Sequence, residues 1–480
     1  MRTRALLVTT LVTTALAAGL LTVTAGTAPA APSGLQDDFN GDGYRDLAIG
    51  APITNIGGHP GAGLVAVVHG GPNGLDKSKR TLISQATAGI PGVPEVNDHF
   101  GSALTTGDLD GDGYTDLVVG VPGERIGSTS TYGVITVAWG GPKGLTSATE
   151  LATPLPAPRP ELGRSLAVGD FDGDGSTDLA TVNSGDIGGL HIFEGPFTRT
   201  GKATARTDVN LSDAGIGVDR VVAGNVDGDG ASDLLVLGRD EAIDGLTGRS
   251  VLYRGGKTGL TMSGAVAGGP AAVIADVDKD GFGDIVTGNP AEKSAYNPDG
   301  GLGGAVTVAY GSAFGLSGRA PVHITQDTAG VPGTGESHDG FGTSLSSGDT
   351  DGDGYADIAV GVRDEALGST PQAGQVVVLR GSATGLTGTG AKAFTQDTAG
   401  VPGTAEPFDH FGSSVRLLDS NKDRRAELAV GAPTENSYAG SVWLLKAGAS
   451  GITATGSTSF GSTTLGGPSG LTHFGDVLAN

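Results

Sequence analysis

At 480 residues the chain is long for one ordinary domain, though propellers and barrels reach this size. Gly (87) and Pro (24) make up about 23% of it, under the roughly 25–30% typical of low-complexity disorder. A formal net charge of −23 leaves nothing basic to displace counterions from phosphate, which excludes nucleic acid as a partner. The absence of cysteine excludes disulfides, thiolate metal sites and a lipidated cysteine together.

In chain order, Arg2 and Arg4 precede an apolar stretch from Ala5 to about Leu21, followed by Ala28-Pro29-Ala30. A charged start, an apolar core and a small-residue cleavage site read as a secretory signal peptide over residues 1–30. No second long apolar run follows, so residues 31–480 are expected to form a secreted, extracellular monomer without a membrane span.

The mature region is punctuated by seven acidic nine-residue loops, each running into an apolar strand. The first offers Asp38, Asn40, Asp42 and Asp46, with the Tyr44 carbonyl at its seventh position. The second offers Asp108, Asp110, Asp112, Tyr114 and Asp116, and the third Asp170, Asp172, Asp174, Ser176 and Asp178. The fourth supplies Asn225, Asp227, Asp229, Ala231 and Asp233, and the fifth Asp276, Asp278, Asp280, Phe282 and Asp284. The sixth supplies Asp349, Asp351, Asp353, Tyr355 and Asp357; the seventh supplies Asp419, Asn421, Asp423 and Glu427. Together they hold 25 of the 52 acidic residues. Hard cations such as Ca²⁺ take six to eight oxygens, and alternate residues of a curled loop can aim theirs at one centre if a glycine allows the bend. One such stretch alone would be a solvated turn; the recurrence points to metal. Arg424 replaces the sixth-position glycine in the last loop, so that loop is expected to bind weakly or not at all, leaving about six Ca²⁺ sites.

The loops recur at intervals of about 50–75 residues, a period that marks a solenoid, array or propeller. After each loop come two apolar strands, such as Asp357 to Gly361 and Val376 to Leu379, with no alternation, so both faces should be covered. A glycine turn follows, then a third strand, placed at Ile324 and Phe394 in two units. A further strand is expected to open at Phe-Gly (Phe100-Gly101, Phe341-Gly342, Phe411-Gly412) just before the next loop. Four antiparallel strands per unit make one blade, and seven blades an all-β propeller. Phe474-Gly475 and the strand after it are predicted to supply the missing first strand of the first blade and close the ring.

Phe-Gly, the Asp-rich loop and Gly50-Ala51-Pro52 or Gly431-Ala432-Pro433 resemble the FG-GAP repeats of the integrin α-subunit β-propeller. The resemblance covers essentially everything after residue 30. It implies Ca²⁺ in the hairpin between the first two strands of each blade, on the positions named above, and an adhesive role through an extracellular protein or glycan ligand. Asn225 costs the fourth blade a carboxylate, and Leu162-Gly163 replaces Phe-Gly in the third. The phospholipase D family specific for glycosylphosphatidylinositol couples such repeats to a separate zinc-dependent domain, of which only the propeller part would match. An EF-hand is excluded, since the twelfth position is Ile49 or Val360 rather than Glu and the flanks are strands.

No H-E-x-x-H, G-x-S-x-G or Arg-Gly-Asp occurs. His99, His410 and His473 each precede Phe-Gly, which reads as a repeated structural position. Two alternatives to a non-catalytic adhesive propeller stand beside it. One is a sugar-binding propeller, disfavoured by an aromatic content of only 5%. The other is a hydrolase or lyase whose carboxylates are hidden among the repeats.

Overall fold

The computed structural model describes residues 33–479 except 127–132, 154–159, 185–188, 212–213, 241–247 and 295–296. The signal-peptide reading falls on residues 1–30, outside the described residues. Seven four-stranded antiparallel sheets follow one another around a ring. Blade 6 shows the plan: Phe341–Gly348 inside, then Asp357–Val362, Gln375–Arg380 and, outermost, Thr387–Phe394. In blades 2 to 7 the strands pair in sequence order. Blade 1 is assembled from both ends of the chain. Leu47–Ala51, Leu64–His69 and Asp76–Ile83 receive Val477–Leu478 as their inner strand, with Ile49 opposite Leu478 and Gly50 opposite Val477.

The absence of alternation in the middle strands has the expected cause. Asp116–Val121 and Val134–Trp139 are buried at every position, because each blade packs both faces on its neighbours. Seven hydrophobic clusters result, one at each seam between adjacent blades. The seam between blades 7 and 1 holds Leu418, Val442 and Phe460 against Leu47, Ile49 and Leu64, so the ring closes with a core like the others.

Two strand assignments move. The outer strands end at Ile324 and Phe394, and the Gln-Asp-Thr-Ala-Gly segments after them are turns. In blades 2 and 7 the inner strands start at Ala103 and Ser414, after Phe-Gly; Phe100 and Phe411 make only a single parallel bridge to Gly63 and Gly374. The residue ahead of Phe-Gly turns the backbone in each case: His99, His410 and His473 take φ of 57°, 55° and 48°, and Gly340 takes 78°. In blade 6 the strand nevertheless starts at Phe341, with a register shift before Leu345.

The motif's second glycine has a packing reason. A Cβ on Gly361 would lie 2.1 Å from the Gly412 carbonyl oxygen of the next blade, and on Gly431 2.1 Å from that of Gly475. The glycine of Gly-Ala-Pro thus gives room to the Phe-Gly backbone of the following blade. Gly361→Ala is expected to cost roughly 1–3 kcal/mol by forcing the two blades apart, read by denaturant unfolding; an unchanged midpoint would show that the seam can give.

Candidate metal centres

In blades 2 to 7 each acidic loop joins the inner two strands, and in blade 1 it leads into Leu47–Ala51. Its second residue anchors it: Phe39, Leu109, Phe171, Val226 and Val277 are buried in the seam to the next blade. Around that anchor the chain curls. In the second loop Asp108 accepts hydrogen bonds from the N–H groups of Gly111 (2.8 Å), Asp112 (3.1 Å) and Gly113 (2.8 Å). Asp38 does the same in its loop, and Asp349 accepts from Gly352 and Gly354. The left-handed turns at the fourth and sixth positions are made by glycine in most loops, but Lys279 and Lys422 adopt them at φ 61° and 65°. Arg424 does so too, at φ 70°, and Asp419 still receives the N–H of Asp423 and Arg424. The seventh loop therefore keeps the shared backbone, its hydrogen bonds offsetting the roughly 1–2 kcal/mol cost of the left-handed conformation. Its ligand atoms are what differ: the third position is Asn421, whose Nδ2 donates to Glu427 (2.7 Å), so no second carboxylate stands there.

The ninth carboxylate has a second task that spacing alone does not reveal. Asp116 accepts from Leu109 N–H (2.9 Å) within the loop and from Gly140 N–H (2.7 Å) at the end of the blade's third strand. Asp46, Asp178, Asp233, Asp284 and Asp357 form the same clasp. These groups are buried, and burial pushes Asp116 and Asp284 up to about 7 and Asp178 and Asp357 to about 6. Burial likewise raises Asp46, Asp233 and Glu427.

Ligand atoms of three carboxylates come within 4.8 Å of one another in four loops: Asp108, Asp110 and Asp116; Asp170, Asp172 and Asp178; Asp276, Asp278 and Asp284; Asp349, Asp351 and Asp353. Among the described residues no such trio forms in the loops of blades 1, 4 and 7, which are the ones that carry Asn40, Asn225 and Asn421. The four convergent loops fit a hard divalent cation. Every donor is oxygen, and like charges crowd where a bound cation would relieve them. The seventh-position residues Tyr44, Tyr114, Ser176, Ala231, Phe282 and Tyr355 are in place to offer backbone carbonyls, and their N–H groups bind the fifth-position carboxylates of their own loops.

Basic side chains at these loops are a feature the sequence reading missed. Arg199 ion-pairs with Asp110 (2.5 Å) and Asp112 (2.6 Å) while lying over the Trp139 ring. Arg319 holds Asp278 at 2.8 Å over Tyr310. Arg254 pairs with Asp227, and Arg380 with Asp351 and Asp357. His69 lies 3.0 Å from Asp46. Arginine therefore sits on the third-position carboxylate in blades 2, 4, 5 and 6, whereas among the described residues no arginine or lysine ion-pairs with the Asp170 loop. Arg254, Arg380 and His69 each close a blade's third strand, just before its glycine, so their place was readable; Arg199 and Arg319 arrive from turns that only folding brings close.

In the metal-free protein a carboxyl whose folded pKa is raised takes up a proton on folding. Stability from these groups is greatest below the ordinary value of 3.8 and is lost as pH rises through about 6–7. In EDTA the melting temperature is therefore expected to rise as pH falls from about 8 to 6. A flat or falling profile would show that the ninth carboxylates do not dominate.

The FG-GAP repeat family matches five stretches, residues 30–68, 100–137, 162–193, 341–379 and 411–445, which belong to blades 1, 2, 3, 6 and 7. Phosphatidylinositol-glycan-specific phospholipase D of Rattus norvegicus is 34% identical over 143 residues, 30% of this chain and 17% of that protein. Integrin alpha-PS2 of Drosophila melanogaster is 44% identical over 85 residues, 17% of this chain and 6% of its own. Integrin alpha-5 of Xenopus laevis is 40% identical over 87 residues, 18% and 8%. The matched part thus spans under a fifth of each relative. No helix among the described residues is long and apolar enough to cross a membrane. With matched repeats in five of its seven blades, the chain carries FG-GAP repeats and resembles the β-propeller of integrin α-subunits.

Proposed function

We propose that the protein is a secreted, calcium-binding, non-catalytic propeller that adheres to an extracellular protein or glycan. The observation behind this is the convergence of three carboxylates in each of four equivalent hairpins. The integrin similarity supports the adhesive role, and the Arg-led apolar start of the chain supports export. Bound calcium would supply positive charge that neutralises the loops and fixes the blade hairpins; Asp108, Asp170, Asp276 and Asp349 and their loop partners would hold it. The purified protein, applied to a panel of glycans, matrix proteins and cell envelopes, is expected to retain one ligand class in calcium and release it in EDTA. Binding to nothing in either buffer would overturn the adhesive reading. The similarity to a phospholipase D favours a second reading, hydrolysis of a glycolipid phosphodiester, which release of a phosphatidylinositol-glycan anchor would establish.

A further inference from the structure

At the opposite ends of the strands from the acidic loops, one constellation of side chains recurs at three seams. Gln85, Asp98 and Glu124 meet between blades 1 and 2; Gln326, Asp339 and Glu365 between blades 5 and 6; Gln396, Asp409 and Glu435 between blades 6 and 7. The amide nitrogen of each Gln donates to its Glu, at 2.6, 2.8 and 2.7 Å, and in every copy the two are 39 residues apart. Each Asp lies 13 residues after its Gln, with one oxygen capped by a backbone N–H three residues earlier, from Glu95, Glu336 and Glu406.

Asn436 Nδ2 also donates to Glu435 Oε1 at 3.0 Å in the third copy, but each constellation still has an acceptor without a donor. The amide oxygens of Gln85, Gln326 and Gln396 have no hydrogen-bond partner, although these residues are 6%, 1% and 1% exposed. Asp98 Oδ1 is also buried and without a partner. In the third copy the Asp409 and Glu435 carboxyls repel each other, and burial together with that repulsion raises Glu435. Among the described residues no Lys, Arg or His ion-pairs with any of these six carboxyls. An interior that gathers two carboxyls and an amide oxygen, three times in the same register, with acceptors left over, lacks a cation rather than another hydrogen bond.

We propose that these three seams are a second class of hard divalent-cation site, taking Ca²⁺ through the Gln amide oxygen and the Asp and Glu carboxylates. Such a site would tie the turn leaving one blade to the loop between the middle strands of the next, so it would brace the seams rather than the hairpins. It does not depend on the acidic loops binding calcium.

Terbium is the probe. Wild-type crystals soaked in Tb³⁺ are expected to show anomalous peaks beside Gln85, Gln326 and Gln396, apart from any at the acidic loops; no peak at the three seams overturns the proposal. In solution, Trp443 borders the third copy: a Cβ on Gly403 would lie 3.8 Å from both Gln396 Nε2 and Trp443 Cζ2. In a W139F background, terbium emission sensitised by Trp443 is expected to fall at least about fivefold in E435Q. Unchanged emission from a folded E435Q would overturn the proposal for the third copy. Loss of loop peaks with seam peaks retained would instead overturn the hairpin reading alone.

Discussion

Excess EDTA is expected to lower the melting temperature by about 10 °C. One ion present at a hundred times its dissociation constant stabilises a fold by roughly 2.7 kcal/mol if the unfolded chain does not bind it, so four hairpins together contribute roughly 11 kcal/mol. Unfolding entropy near about 2 cal/mol/K per residue, over a ring of this size, turns that into the stated shift. The sign follows from the hairpins themselves. Without an ion, Asp170, Asp172 and Asp178 hold their charges within 4.8 Å of each other, with the ninth carboxyl buried. Arg199, Arg319 and Arg380 soften the same repulsion in three other blades, so the Asp170 hairpin should lose the most order on chelation. Calorimetry in calcium and in EDTA reads the total, and hydrogen exchange across residues 170–178 reads the local part. An unchanged melt would remove the metal assignment altogether.

Loss of the closing strand has the other large effect. Phe474 is fully buried, lies edge-to-face with Phe460 at 5.9 Å, and donates its N–H to the Ala439 carbonyl. Phe474→Ala is expected to cost about 3–5 kcal/mol through the cavity it leaves at the seam of blades 7 and 1. Truncation after Thr472 goes further, since it also removes Val477–Leu478 and the bond from Ala479 N–H to the Ala48 carbonyl. Leu47–Ala51, buried at every position, then becomes an open edge, and an apolar edge strand invites pairing between chains. The truncated protein should elute as aggregate and lose a single cooperative melt. A monomer with the parent's melting temperature would mean that the ring holds without its last strand.

Much of this was legible in the sequence because the repeat is a local code. The acidic loop, the apolar strands after it and the glycine turns each depend on neighbours within one hairpin, so seven blades, their loops and the closing strand could be placed without coordinates. Repetition also made weak motifs readable: a single Phe-Gly says little, whereas Phe100, Phe341, Phe411 and Phe474 at matching points give the period. Where the reading slipped, the cause was again local conformation. In blades 2 and 7 the inner strand starts only after Phe-Gly, and Arg424 accepts a positive φ because the Asp419 carboxylate draws its N–H inward.

What remained hidden lies across seams. The sequence by itself determined the number of blades, the position of every acidic loop and the order in which strands pair, since these follow from patterns a few residues long. Only the tertiary structure decided that Arg199 reaches back over Asp110 and Asp112 from the turn of the next blade. It alone also brought Gln85 to Glu124, 39 residues on. Spacing along the chain fixes what one hairpin can do. Contacts between blades depend instead on how far each sheet twists and which side chains the packed seam leaves room for, and no short pattern carries that information.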